Sequence, residues 1–284
     1  MTLTFTKMHG LGNDFVMLPH APADTDPAQL ARQLCDRHFG VGADGLIFPA
    51  PPTDANAFDV QFVYYNSDGS RAEMCGNGIR CFALYLKTKN LLPAALFERP
   101  LRVETPAGLI QPQLNADNTV TVDMGPPILT PATIPFTPAT PAEGPLLRTP
   151  IPVLNTTVPV TPVSMGNPHA IIFQDELPSS LDPVVFGPAI ETHSAFPAKT
   201  NVEFVKKVAP NVLNVVVWER GCGFTLACGT GACATAVAAH LAGLTDRQVE
   251  IQLPGGSLLI DWNKATGHVM MTGPATVVFE GIWA

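Results

Sequence analysis

Apolar positions along this chain fall into many short runs rather than long periodic stretches. Phe58–Tyr65, Arg102–Thr105, Thr119–Met124, Ala170–Phe173, Val202–Val208, Asn214–Glu219, Gln248–Leu253, Leu258–Trp262 and Val269–Thr272 are rich in β-branched and aromatic residues and are bounded by Gly, Pro or Asn. Such runs predict strands. Three segments predict helices: Ala28–Asp36, Gly78–Lys89 and Gly231–Leu244. The last two are apolar nearly all round, through Ile79-Arg80-Cys81-Phe82-Ala83-Leu84-Tyr85-Leu86 and Ala232-Cys233-Ala234-Thr235-Ala236-Val237-Ala238-Ala239. A helix apolar on every side is buried on every side. No clean alternation of strand and helix appears, so a doubly wound sheet is not expected. With strands outnumbering helices, each buried helix is expected to be wrapped by its own sheet. That makes an α+β protein of two halves.

Eleven of the 29 prolines fall between Pro126 and Pro162, where Glu143 and Arg148 are the only charged residues. Proline removes backbone donors and is excluded from helix interiors and central strands. Residues 126–152 therefore read as a loop or edge-strand connector between the halves, with a long surface excursion in one domain as the competing reading. The expected division is 1–125 and 126–274, with a C-terminal strand over 275–284 returning to the first half.

The two buried helices are entered alike. Met74-Cys75-Gly76-Asn77-Gly78 and Ala227-Cys228-Gly229-Thr230-Gly231 both read Cys-Gly-polar-Gly, about one domain length apart. A duplicated half explains the repeat. Glycine permits tight turns and close approach, and Asn77 and Thr230 suit helix caps. Unpaired N–H groups of a first helical turn attract a carboxylate. The same field favours thiolate over thiol. If the halves are related by a pseudo-two-fold axis, two activatable thiols address one ligand, one removing a proton and the other returning one to the opposite face. Two rivals stay open for this cysteine pair. A zinc site is one, although neither a Cys-x-x-Cys nor a His pair at ligand spacing accompanies them. Disulfide redox chemistry is the other. Cys35, Cys81 and Cys233 read as small buried apolar residues, and Cys222, between two glycines, as a turn residue.

Composition narrows the partners. For 284 residues, about 150 per domain gives two domains. The net charge is −8, and the basic residues are scattered, with Lys206–Lys207 the only adjacent pair. A nucleic-acid-binding face is not expected. No stretch approaches the ~20 apolar residues of a membrane span, and Met1–Asp14 lacks the apolar core of a signal peptide. Six cysteines without an export signal are expected to be reduced thiols in a cytoplasm.

The motifs are similar to those of the diaminopimelate epimerase family, in family order and over nearly the whole chain. They are Met8-His9-Gly10-Leu11-Gly12-Asn13-Asp14-Phe15, Tyr65-Asn66-Ser67-Asp68-Gly69-Ser70 running into Cys75, Gly166-Asn167-Pro168-His169, Asn201-Val202-Glu203-Phe204, and Glu219-Arg220-Gly221 running into Cys228. The resemblance implies two α/β halves, each with a barrel-like sheet around its central helix. It implies a cofactor-independent epimerase, without a metal, that interconverts LL- and meso-diaminopimelate, and a homodimer. Cys75 and Cys228 match the acid–base pair. Gly76, Asn77, Gly229 and Thr230 match the donors to the reacting carboxylate. Asn13, Asn66, Asn167, Asn201, Glu219 and Arg220 match substrate-contacting positions, and His169 and Glu219 match residues that help set cysteine protonation. Arg220 suits a distal carboxylate, and asparagines read a zwitterion without adding charge. A proline or hydroxyproline epimerase of the same fold is the alternative, for which the distal-end residues would be superfluous. Gly45, where many relatives carry Gln, and Phe224, where a small or acidic residue is commoner, depart from the pattern.

Overall fold

The computed structural model describes residues 2–21, 25–174 and 181–284. The chain divides into two compact units, Met1–Asp123 with Thr272–Ala284, and Met124–Met271. Each is a mixed sheet with few helices.

The first unit runs β1 (Leu3–Gly10), β2 (Asn13–Met17), α1 (Pro27–Cys35), β3 (Gly45–Ala50), β4 (Val60–Asn66), α2 (Gly76–Thr88), β5 (Val103–Thr105), β6 (Gly108–Ile110), β7 (Pro112–Leu114) and β8 (Val120–Asp123). Its main ladder is the C-terminal strand Thr276–Trp283, then β1, β2, β3, β4, β5, β6. The β2–β3 and β4–β5 pairs are parallel, and β7–β8 is a hairpin. Asp26 caps α1 by accepting from Ala28 N, and Pro27 supplies a preset φ in its first turn. Helix α2 packs on β1, β2, β3, β7 and β8. Its residues Asn77–Leu86 are all buried, Arg80 included. Phe82 meets Phe62 edge-to-face at 5.1 Å.

The second unit runs β9 (Thr149–Val153), β10 (Thr156–Ser164), β11 (Pro168–Gln174), α3 (Pro183–Glu191), β12 (Asn201–Ala209), β13 (Val212–Glu219), β14 (Gly223–Thr225), α4 (Gly229–Leu241), β15 (Gln248–Leu253), β16 (Gly256–Trp262) and β17 (Val269–Gly273). The ladder order is β17, β16, β15, β13, β12, β11, β10, β9, with β14 on β13. The β11–β12 and β13–β15 pairs are parallel. Helix α4 packs on β10, β11, β12, β15 and β16. Gly231–Ala239 are all buried. Alanine suits that position twice: it is the best helix former, and its small side chain lets strands approach the helix closely.

Four features depart from or add to what the sequence suggests. Both buried helices begin two residues earlier than their patterns suggest, so Cys75 and Cys228 themselves are the N-caps, in place of Asn77 and Thr230. Helix α3, with Pro183 and Pro188, has a composition that argues against a helix, yet Pro183 stands in the first turn, where its missing N–H costs nothing. The proline-rich connector is not merely superficial: Ile134 and Phe136 lie in the core, and Phe136 packs on Phe196 at 4.8 Å. Finally, among the described residues the first unit's ladder does not close into a barrel. It ends at β6 and at Thr276–Trp283, both largely exposed.

Candidate functional site

In the first unit, Cys75 stands at the start of α2 in extended backbone, and its Sγ accepts from Gly78 N at 3.4 Å. The thiol donates to Asn13 Oδ1 at 3.6 Å. Asn77 Nδ2 donates to the same oxygen at 3.2 Å. Charged groups fix both amides. Arg80 donates to Asn77 Oδ1 at 2.9 Å, and Asn13 Nδ2 donates to Asp44 at 2.6 Å. An amide is turned by the donors and acceptors it meets, so Asn13 presents its oxygen to the sulfur. Beneath it lies a charge cluster. Asp14 pairs with Lys7 and with Arg37, which also reaches Asp44, and Lys7 donates to Gly42 O. Burial works against the Asp14 charge, but hydrogen bonds from Arg37 and Lys7 hold its carboxyl down at about 2.

Asn66 sits apart from this cluster in its contacts: it donates to Ser70 Oγ at 3.0 Å and braces its own turn. Gly45 has a steric reason. An added Cβ would lie 2.3 Å from the Tyr64 ring and 2.7 Å from Tyr65 O. A longer side chain there requires the β3–β4 pair to move.

In the second unit, Cys228 caps α4 and its Sγ accepts from Gly231 N at 3.4 Å. Thr230 Oγ1 lies 3.5 Å from the sulfur. Asn167 Nδ2 donates to Thr230 Oγ1 at 3.3 Å, His169 Nε2 meets Asn167 Oδ1 at 3.1 Å, and His169 Nδ1 meets Glu203 Oε1 at 2.7 Å. His169 and Glu203 are both fully buried. Burial pushes the Cys228 thiol well up, and the charges of Glu219 and Glu203 push it the same way, against smaller opposing hydrogen bonds from Thr230 and Gly231. Burial and the two carboxylates thus work at Cys228 against the lowering expected from the helix terminus.

Asn201 donates to Pro168 O and accepts from Arg220 N, both at 2.9 Å, tying the Gly166–His169 turn to the end of β13. Arg220 Nη1 donates to Ala198 O at 3.0 Å. Phe224 is half-exposed and stacks edge-to-face on Trp218 at 5.3 Å. First-turn amides of a helix lack intrahelical acceptors; in α2 these include Gly76 and Asn77, in α4 Gly229 and Thr230. Each unit therefore offers a thiol beside a small anion cradle.

Sequence reasoning missed Asp44, Arg80 and Glu203 as site residues. Glu203 stood within a quoted motif. An acidic residue between Val202 and Phe204, at the apolar start of its strand, was the available signal. Among the described residues no group of three or more His, Cys, Asp or Glu is placed to hold a metal ion.

A family model described as Diaminopimelate epimerase matches residues 5–130 and 161–278. A diaminopimelate epimerase of Microcystis aeruginosa is 47% identical over 285 residues, covering 100% of this chain and 99% of its own. One from Desulforudis audaxviator is 49% identical over 290 residues, covering 99% of each. Among solved structures, a phenazine biosynthesis protein of the PhzF family from Bacillus anthracis superposes with a TM-score of 0.68 at 14% identity, covering 100% of this chain and 99% of that one. A hydroxyproline epimerase from Agrobacterium vitis with bound trans-4-hydroxy-L-proline gives 0.65 at 16%, covering 99% and 92%. At such identities the two structures show a common fold and no more.

Proposed function

Because the chain belongs to the diaminopimelate epimerase family, we propose that it interconverts LL- and meso-diaminopimelate by a two-thiol acid–base reaction without an added cofactor. One sulfur, as thiolate, takes the α-proton. The electron pair left on the α-carbon spreads into the carboxylate, where first-turn amides at Gly76, Asn77, Gly229 and Thr230 stabilise it. The other sulfur, as thiol, gives its proton to the opposite face. The enzyme ends with the two protonation states exchanged, and the centre is inverted. The two thiols titrate as one system.

The observation that carries this reading is the matched pair of N-capping cysteines, each immediately before a buried helix. Asn66, Asn167, Asn201 and Arg220 are the candidates for reading the distal amino-acid end, and His169 and Glu219 for helping set the thiols. The proposal includes sheets curled as barrels about α2 and α4, which the burial of both helices supports. It also includes a cytoplasmic homodimer acting in lysine and peptidoglycan precursor synthesis. The exposed Val277, Val278, Phe279 and Ile282 on the C-terminal strand support a second copy as partner.

The test is α-proton exchange. Reduced, metal-stripped protein is incubated with LL-diaminopimelate in D2O, and both the α-proton signal and the product stereochemistry are followed. The expected result is meso product carrying deuterium, and no epimerisation by Cys75→Ser or Cys228→Ser. Near-normal turnover in either variant, or exchange with proline but not diaminopimelate, refutes the reading.

A further inference from the structure

Cys228 poses a difficulty for a two-thiol reaction. It must serve as a base in one direction, yet it is buried beside two carboxylates. We propose that Glu203 is a positioning residue that makes the Cys228 thiolate attainable, acting through the hydrogen-bond relay His169–Asn167–Thr230. This deepens the acid–base reading above and rests on it.

The contacts form one continuous relay with two possible directions. Glu203 Oε1 accepts a hydrogen bond from His169 Nδ1 at 2.7 Å. In the first direction Asn167 is turned to put Oδ1 at His169 Nε2, both ring nitrogens donate, and the relay's extra proton sits on the ring, opposite the glutamate. The Asn167 amide then donates to Thr230 Oγ1, which leaves the threonine proton to point at Cys228 Sγ. Every link hands a donor onward, and the last one faces the sulfur together with Gly231 N. In the opposite arrangement His169 Nε2 is bare, the amide is flipped, and Cys228 donates to Thr230. The two arrangements hold equal numbers of protons and differ in whether one sits on His169 Nε2 or on Cys228 Sγ.

Glu203 selects between them by its charge and by its fixed seat. Gly231 makes room for it: an added Cβ there would lie 2.5 Å from Glu203 Oε1. The carboxylate therefore lies against the first turn of α4, where negative charge is favoured. Its Oε2 has no hydrogen-bond partner among the described residues, so His169 is its principal compensation. The corresponding place in the first unit is apolar, with Ile47 Cδ1 3.1 Å from a Cβ added at Gly78. The charged groups acting on Cys228 are then Glu219 on β13 and Glu203 on β12, with His169 on β11 held against Glu203.

The sign of one substitution separates this from plain electrostatics. If Glu203 acted only as a nearby negative charge, Glu203→Gln would ease thiolate formation. In the relay, Glu203→Gln removes the reason for the imidazolium, the amide loses its donor partner, and thiolate is lost. The assay is Cys228-specific alkylation by iodoacetamide from pH 6 to 10, read by peptide mass spectrometry on folded protein without substrate. The expected result for Glu203→Gln is a rate about tenfold lower at a given pH, the scale of one hydrogen bond to a charged group. Glu203→Asp keeps the charge but withdraws it from His169, and it too should slow alkylation. Thr230→Val should slow it, and combining it with Glu203→Gln should add little further. Faster alkylation in Glu203→Gln, an unchanged rate in Glu203→Asp, or full additivity in the double variant overturns the proposal. None of these readouts uses turnover, so such a failure leaves the epimerase reading standing.

Discussion

Gly231→Ala and Gly229→Ala place the same methyl group in the same helical turn, and they should act in opposite directions. Alanine raises intrinsic helix stability by about 1 kcal/mol over glycine, so that gain is common to both. At Gly229 the new Cβ would meet Met271 Sδ at 3.1 Å, the far end of a flexible thioether. A small rotation of Met271 relieves it, and the melting temperature should hold or rise. At Gly231 the Cβ would lie 2.5 Å from Glu203 Oε1 and 3.3 Å from Cys228 Sγ. An ordinary contact requires the carboxylate to move by about 1 Å, away from the imidazole that compensates it. Breaking one side of a buried ion pair costs roughly 3–5 kcal/mol. The net loss is then about 2–4 kcal/mol, which lowers the second unit's melting temperature by on the order of 5–15 °C. Differential scanning calorimetry of the two variants beside the parent protein measures both signs. Equal melting temperatures for parent and Gly231→Ala would refute the argument, because they would show that Glu203 is not held where Gly231 leaves room for it.

The other predictions concern the first unit. Asp14 is held at about 2, against 3.8 for an ordinary carboxyl. Its folded value is depressed, so its stabilisation is present above 3.8 and is lost as the pH falls through about 2. Urea midpoints measured down that range should slope less in Asp14→Asn than in the parent, and an unchanged slope would count against the Lys7–Asp14–Arg37 cluster. Asp59 is nearly buried and accepts from Arg99 and Arg102 side chains and from Arg102 N. Asp59→Ala should destabilise the first unit by roughly 2–3 kcal/mol, the value of a few charge-assisted hydrogen bonds less partial solvation of the two arginines. A urea midpoint within error of the parent would exclude that role.

Legibility followed how local each cause was. Cys75 and Cys228 were legible because the Cys-Gly-polar-Gly repeat is local and recurs before the same kind of helix. The helix starts were misplaced because glycines in a first turn look like the loop before it, and the sulfur proved to be the cap. Strands β1 and β2 escaped the pattern because both faces of β1 are buried from Phe5 to Met8, so no alternation marks it. Strand β10 escaped because Pro159 and Pro162 argue against a strand, yet it pairs with β9 and β11. Arg80 sits within an apolar helix, and its partners include Gly76 O and Pro274 O. The latter comes from nearly two hundred residues away, and no window along the chain joins them. Glu203 was legible as a motif residue but not as the partner of His169, since the parallel β11–β12 register that brings the two strands together is long-range.

The pairing of β1 with Thr276–Trp283 also has a consequence for biosynthesis. A ribosome makes β1 early and its outer partner only after the whole second unit has been made. Through that interval Leu3–Gly10 presents an unpaired row of backbone groups, the kind of edge onto which other nascent chains can add. Domains tend to fold in the order of their synthesis, but here the inserted unit can finish before the one that encloses it in sequence.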